Sequence, residues 1–423
     1  MSHASPDYDA LVVGAGAAGL SAGLRLKEAG LSVLVLEARR RVGGRALTKT
    51  IAGFPLDLGC GWLHSGDRNP WTRIAAGLGF TIDRAATRWG EQDFDRSFSA
   101  EDRDRARAAR AAFHARIESV DLGAGDMAAA ALLEPGGRFN PTIAAECAFI
   151  NGDGPEKISV ADWRRYEDSG VNWRVLEGYG AAIAAYGADA PVRLGCAVRR
   201  IDHSGACVRV ETAEGALSAR AVVVAAPASL LAAEAIAFHP ALPDKTAAAR
   251  GLPLGVADKL VFRAEPSTLP AEGHFLGDPF SEKTGSYSVR PFGRPLIECY
   301  FGGDLARGLE AGGPGSFIAF ALGELAHFFG AGLVSRLVPV VETRWGRDPF
   351  SLGSYSYASP GCSDQRAALA APVDDRIFFA GEACSRASFS TAHGARLTGI
   401  EAAERIIAAH GRGGARAARS RAP

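Results

Sequence analysis

Asp9-Ala10-Leu11-Val12-Val13-Gly14-Ala15-Gly16-Ala17-Ala18-Gly19 is the stretch whose reading decides the fold. The apolar run before Gly14 has the pattern of a buried strand. Leu20 to Ala29 then reads as a helix that Gly30 ends. Ser32 to Leu36 reads as a second strand, with Glu37 at its carboxyl end. Each glycine has a task in this strand–helix–strand setting. Gly14 permits the tight turn, Gly16 lets the backbone approach a pyrophosphate, and Gly19 lets helix and strand pack closely. The helix N-terminus turns unpaired N–H groups and a positive dipole end towards the phosphates. Glu37, roughly 20 residues downstream, is placed to bind ribose hydroxyls. A lone Gly-x-Gly-x-x-Gly is weak evidence, but here strand, glycines, helix, strand and acid occur in order. A carboxylate at this point favours a free 2′-hydroxyl over a 2′-phosphate, which puts FAD or NAD ahead of NADP.

Just past Glu37 lies a basic, glycine-containing loop: Arg39, Arg41, Gly43, Gly44 and Arg45. Forked arginine donors can pair with pyrophosphate oxygens. A solvated basic turn is the plainer reading, and the loop's place directly after the ribose acid favours the functional one.

The 423 residues are enough for a large core and two domains. Lys plus Arg and Asp plus Glu are 47 each, so no general nucleic-acid surface is expected. Cys60, Cys147, Cys196, Cys207, Cys299, Cys362 and Cys384 are scattered, with no CxxC or zinc spacing. That usage suits a reducing cytoplasm and implies no metal site. The start, Met1 to Asp7, is too short and polar for a signal peptide. No uninterrupted apolar run reaches about 18 residues. Ala221 to Phe238 comes nearest and is broken by Pro227, Ser229 and Glu234, so no membrane partner is expected. Gly411 to Pro423, rich in Gly, Ala and Arg, reads as a disordered tail.

Further strand patterns occur at Val192–Leu194, Ala197–Ile201 and Cys207–Thr212, with Ser204-Gly205 as a turn. Ala221–Ala226 is wholly apolar, as in a central parallel sheet. Lys259–Phe262, Leu296–Phe301 and Arg376–Ala380 are also strand-like, and Phe317–Phe329 and Thr391–Ala409 read as helices. The expected class is α/β: a Rossmann-like FAD-binding domain with a discontinuous α+β substrate-binding domain. The first takes residues 1–85, 190–240 and 345–410, the second 86–189 and 241–344, and 411–423 is the tail.

These residues resemble the flavin-containing amine oxidases: monoamine oxidases, polyamine oxidases and lysine-specific histone demethylases. Glu37–Arg45 is similar to that family's ribose acid and second glycine loop. Asp57-Leu58-Gly59-Cys60-Gly61-Trp62-Leu63-His64 resembles its segment along the flavin, and Leu254–Lys259 the stretch with its active-site lysine. Trp345–Phe350 with Gly353–Tyr357, and Phe379–Glu382 followed by Thr391–Ala395, complete the likeness. Residues 86–175 carry no family motif.

The resemblance implies FAD as cofactor. Gly14, Gly16, Ala18, Gly19, Glu37, Arg39, Gly44 and Arg45 would serve its adenosine and pyrophosphate half, and the backbone of Val198 would meet the adenine. Gly61, Trp62, Trp345, Thr391 and Ala392 would border the flavin, and Gly381 and Glu382 its ribityl and phosphate groups. Lys259 would hold a water against flavin N5, whereas an isolated lysine is ordinarily a surface group. Tyr355 would form one wall of an aromatic cage. The opposite wall falls on Thr391, where many members have tyrosine, so the cage is half aromatic unless Phe389 swings in. His64 faces the substrate or is a packed histidine. Ser354 stands where monoamine oxidases carry the cysteine that bonds the flavin, which implies non-covalent FAD.

The expected function is oxidation of a C–N bond in a polyamine or another primary or secondary amine. The imine would be hydrolysed, and dioxygen would take the electrons to give hydrogen peroxide, or a carrier protein would take them. Two other enzyme readings share the architecture: an amino-acid oxidase, for which no carboxylate-binding arginine is placed, and a C–C desaturase. An inactive flavin-binding interaction protein is a third. Polyamine oxidases hold distant ammonium groups with pocket carboxylates. Trp62-Leu63-His64 offers none, and the positions of Glu177, Asp162 and Asp168 stay open.

Overall fold

β1 (Tyr8–Val13) runs through the middle of the largest sheet, between β2 (Val33–Leu36) and the long strand Gly215–Val224. It belongs to a computed structural model that describes residues 6–89, 91–94, 98–123 and 125–419, with side chains through residue 409. Ala10, Leu11 and Val12 are fully buried. Both faces of this parallel core are covered, which is why the strand is apolar without alternation. α1 (Ala17–Glu28) returns the chain from β1 to β2.

The strand order is Ala237–His239, Val198–Asp202, Val208–Thr212, Gly215–Val224, β1, β2, Val192–Arg193. Ile377–Phe379 also pairs parallel to Gly215–Val224. That long strand changes partner along its length. Its first half is antiparallel to Val208–Thr212, and its apolar second half is parallel to β1 and Ile377–Phe379. Three distant parts of the chain thus meet in one nucleotide-type sheet. The C-terminal helix, Ala392–Arg419, crosses α1 so closely that a Cβ at Gly399 would lie 2.2 Å from the Ala18 carbonyl oxygen. The helix continues past Ala409 to Arg419, so up to that residue the segment expected to be an unstructured tail prolongs a helix. Its Ala and Arg residues are strong helix formers that extend a turn already made. Residues 420–423 lie outside the described residues.

A second sheet, in the order Gly273–Leu276, Ser286–Val289, Leu296–Gly302, Ala257–Arg263, Val338–Glu342, carries an aromatic core. Phe262, Phe275, Tyr287, Phe301 and Phe317 are fully buried there. The helix Ser316–Val334 covers it. By length and composition that helix is apolar enough to cross a membrane, which corrects the reading that the chain has no such segment. Glu324 and His327 interrupt its apolar run, so a search for unbroken runs passes over it. Its Glu324 carboxylate accepts from Thr284 Oγ1, the Gly285 N–H and Tyr287 Oη, which anchors the helix to the sheet. A small sheet joins Leu63–His64 and Ile82–Asp83 to Asn172–Val175, across the domain boundary drawn at residue 85.

Candidate active site

The two glycine loops lie against each other. The Gly43 N–H donates to the Ala15 carbonyl at 2.8 Å, and Gly16 and Gly43 form a β-bridge. Gly14 has φ +99°, and a Cβ at Gly19 would sit 1.8 Å from the Gly14 carbonyl oxygen, so both positions need glycine. α1 begins after Gly16 with no side-chain cap. Its first-turn N–H groups therefore remain for an anion. Glu37, 3% exposed, accepts from the N–H groups of Ala15 and Arg39, each at 2.7 Å. Each carboxylate oxygen keeps a second lone pair for a ribose hydroxyl. Beside it opens a cleft of about 580 Å³ lined by Arg39, Arg40, Arg41, Asp348 and Phe350. The backbone around Val198 is tied to this corner, since the Cys196 N–H donates to the Glu37 carbonyl at 2.8 Å. Uncapped helix, glycine cradle, ribose acid and cleft together fit FAD.

Arginines bind the distant motifs to this frame. Arg39 pairs with Asp348 at 2.5 Å and stacks over Phe350. Arg45 donates to the Ser354 carbonyl and to Glu382, each at 2.8 Å. Glu382 is buried and also accepts from Ser356 Oγ and the Ser390 N–H. Burial works against its charge, but Arg45, Ser356 and Arg366 hold its carboxyl below the usual range. Gly381 has φ +143°, and a Cβ there would meet nothing within 4 Å, which leaves the approach to this corner open. Ala18 is buried, and its backbone carbonyl faces the C-terminal helix at Gly399.

At the flavin end, Lys259 reaches back to the segment in front of it. Its Nζ donates to the carbonyls of Asp57 (2.7 Å) and Gly59 (2.9 Å). Gly61 lies against it, 3.5 Å from Nζ to a Cβ placed there. Burial pushes the Lys259 pKa down, while Glu298 and Asp57 pull it up. Trp345 donates from Nε1 to the Leu58 carbonyl at 2.9 Å, so Lys259 and Trp345 hold the same segment. Trp62 meets Trp89 edge-on at 4.5 Å. Ser354 Oγ is engaged with the backbone of Ala257, as both donor and acceptor.

Tyr355 Oη donates to the Phe149 carbonyl at 2.5 Å and lies 2.8 Å from Tyr300 Oη. Thr391 Oγ1 donates to the Ser388 carbonyl and accepts the Gly394 N–H, which caps the C-terminal helix. Ala392 follows at that helix's start, its carbonyl accepting Trp71 Nε1–H. Phe389 does not complete the cage. It is buried beneath the Arg366 guanidinium, 3.8 Å from the ring centre, and beside Tyr166. His64 bonds Asn172 through Nδ1 at 2.7 Å, and burial holds its pKa below the usual value.

Of the three open carboxylates, Asp162 pairs with buried Arg366, Asp168 accepts from Ser65 Oγ, and Glu177 accepts the Thr81 N–H. Besides Asp57, the carboxylate that acts on Lys259 is Glu298. Lys259 pairs with Tyr300 and Val261 with Glu298 across adjacent strands, so these four side chains share one face. Glu298 is loosely paired with Arg174 at 3.3 Å. Arg174 stacks over Trp62 and Phe292, and its Nε is buried with no hydrogen-bond partner. Sequence reasoning missed Glu298, Tyr300 and Arg174. The alternation of Leu296–Phe301 signalled a strand, but no motif signalled its register.

A family model described as flavin containing amine oxidoreductase matches residues 156–407, and one for an NAD(P)-binding Rossmann-like domain matches residues 12–78. The chain is 30% identical to probable polyamine oxidase 4 of Arabidopsis thaliana, over 93% of this chain and 86% of that protein. It is also 30% identical to lysine-specific histone demethylase 1 homolog 2 of Oryza sativa subsp. japonica, over 96% of this chain and 58% of that protein. A solved structure of putrescine oxidase bound to putrescine superposes with a TM-score of 0.76 at 21% identity, covering 95% of this chain and 99% of that one.

Proposed function

The chain belongs to the flavin-containing amine oxidoreductases: it is an FAD enzyme that oxidises amines, and we propose that its substrate is a polyamine or another small primary or secondary amine. Bound FAD supplies the acceptor for the hydride equivalent taken from the carbon beside the amine nitrogen. Lys259 keeps an ammonium group at the reacting edge, and Trp345 and Lys259 together fix the Asp57–Gly61 segment along the cofactor. Tyr355 and Tyr300 line the amine's approach with aromatic surface. The imine product hydrolyses to a carbonyl compound. Dioxygen is the terminal acceptor in this reading, and hydrogen peroxide the by-product. The seven free cysteines and balanced charge support a cytoplasmic enzyme acting on small molecules rather than on nucleic acid.

The observation that carries the substrate assignment is Glu298, a carboxylate on the Lys259 face whose pairing with Arg174 is loose enough to exchange for a second ammonium group. Anaerobic mixing with putrescine, longer polyamines and monoamines should bleach the flavin fastest with the polycations. Glu298→Gln should raise KM for putrescine about tenfold or more, the loss of one charge-assisted hydrogen bond, and leave monoamines less affected. Equal effects on both classes would remove Glu298 from substrate recognition. Arg174 favours a second reading, an amine that carries a carboxylate, because its Nε has a donor to give. Fastest bleaching by an amino acid would favour that reading. The flavin is held non-covalently here, since Ser354 is engaged with Ala257. Acid or urea denaturation should release all yellow colour from the polypeptide, and colour left on the precipitate would overturn this.

A further inference from the structure

Behind the Lys259 strand, on the face opposite Lys259, two carboxyl groups meet in the protein interior. Asp258 is 0% exposed, and Glu310, on the helix Gly303–Ala311, is 5% exposed. Asp258 Oδ1 accepts two hydrogen bonds, from the Trp345 N–H (2.9 Å) and from Thr343 Oγ1 (2.8 Å). Thr343 Oγ1 in turn accepts the Lys259 N–H at 2.8 Å. Glu310 Oε1 accepts the Gly346 N–H at 2.8 Å. Asp258 Oδ2 is buried without a hydrogen-bond partner, and the two carboxyls accept from the consecutive N–H groups of Trp345 and Gly346, which sets Glu310 beside Asp258.

We propose that Asp258 is a carboxylic acid whose Oδ2–H donates to the Glu310 carboxylate, and that this pair positions Lys259 and Trp345 at the flavin site. The oxygens divide the work. Oδ1, which takes two donors, behaves as a carbonyl oxygen, and Oδ2, which takes none and faces a carboxylate, carries the proton. Two buried carboxylates in contact without a cation cannot both be charged. The charged groups on the surrounding elements are engaged elsewhere. Arg307 pairs with Asp153 and Asp304, Arg344 with Glu342, and Lys259 with the carbonyls of Asp57 and Gly59, while Arg347 is exposed. Glu298 and Tyr300 lie on the other face of the strand. Burial pushes the Asp258 pKa up to about 8. The Trp345 N–H works the other way, and Glu310 adds to the rise. Asp258 and Glu310 are positioning residues: neither touches the reacting atoms.

The test is the pH profile of thermal unfolding of the FAD-loaded protein, read for wild type, Asp258→Asn and Glu310→Gln. Folded Asp258 keeps a proton that the unfolded chain releases above 3.8. The stability this proton provides is therefore complete below about pH 4 and lost as pH rises through about 8, tenfold in the folding equilibrium per pH unit. Each amide reproduces the hydrogen bond without a titrating proton. In Asp258→Asn the amide nitrogen would donate to Glu310 while the amide oxygen still serves Trp345 and Thr343. In Glu310→Gln the amide nitrogen would donate to Asp258. Both variants should gain on wild type by about tenfold per pH unit up to pH 8. They should also abolish the alkaline rise in released-FAD fluorescence expected of wild type. An offset that is constant with pH would overturn the proposal. So would failure of both amide variants to yield folded holoprotein, since each mimics the protonated pair. The unfolding readout does not depend on which amine is oxidised, so a wrong substrate assignment leaves it standing.

Discussion

Lys259 has three ammonium donors, two of them committed to the carbonyls of Asp57 and Gly59. The third is left for the cofactor edge or a water lying on it. Lys259→Met keeps the chain length and removes the charge. In single-turnover stopped flow we expect flavin reduction or reoxidation to slow by about 10²–10³, the usual effect of deleting one preorganised electrostatic donor. A change under threefold in both half-reactions would make Lys259 a packing residue. The sequence singles out this lysine, Trp345 and Tyr355 because each sits within a contiguous motif. Glu298, Tyr300 and Arg174 were not legible, because they reach the Lys259 side from strands whose register depends on tertiary pairing. Asp258 lay within a quoted motif, yet its role appears only once Thr343, Trp345 and the Gly303–Ala311 helix converge on it.

Among the elements, the contact between α1 and the C-terminal helix matters most for the cofactor, because it backs the glycine cradle. At Gly399 a methyl group would meet the Ala18 carbonyl oxygen at 2.2 Å, and neither backbone can step aside without moving its helix. Gly399→Ala should therefore cost about 1–3 kcal/mol, the range for overpacking a close contact. It should also weaken FAD retention, seen as free-flavin fluorescence after gel filtration. Wild-type stability with full flavin content would mean that the helices slide apart freely. In the nucleotide sheet β1, the apolar half of Gly215–Val224 and Ile377–Phe379 were readable as apolar runs closed by glycine or proline, whereas Ala237–His239 carried no such signal. Leu63–His64 and Ile82–Asp83 were not readable, being too short to show any period. The Ser316–Val334 helix was read as a helix, but its full apolar extent was hidden by Glu324, whose partners lie on another element.

At the scale of the whole molecule, two buried histidines, His393 and His274, add to the response to acid alongside buried His64. His393 stands at the start of the C-terminal helix beside Asn69, and His274 lies in the second sheet with Nε2 on Ser286 Oγ and Nδ1 unpartnered. Burial pushes each down to about 4 from 6.5. Their folded-state values are depressed, so the unfolded chain binds more protons between those limits. Stability is then intact above pH 6.5 and falls as pH drops towards 4, by about 1.4 kcal/mol per pH unit for each histidine. The two sites lie on different elements and share no hydrogen-bond partner, so their effects should add. Denaturant midpoints of wild type should decline over this range, and His393→Asn or His274→Gln should each make that decline shallower by about 1.4 kcal/mol per pH unit. A variant that leaves the slope unchanged would show that its histidine is already protonated in the folded state. Asp258 acts from the other side, since its proton is lost as pH rises through about 8. Unfolding midpoints should therefore fall on both sides, towards acid where these histidines must gain protons and towards alkali where Asp258 must lose its own.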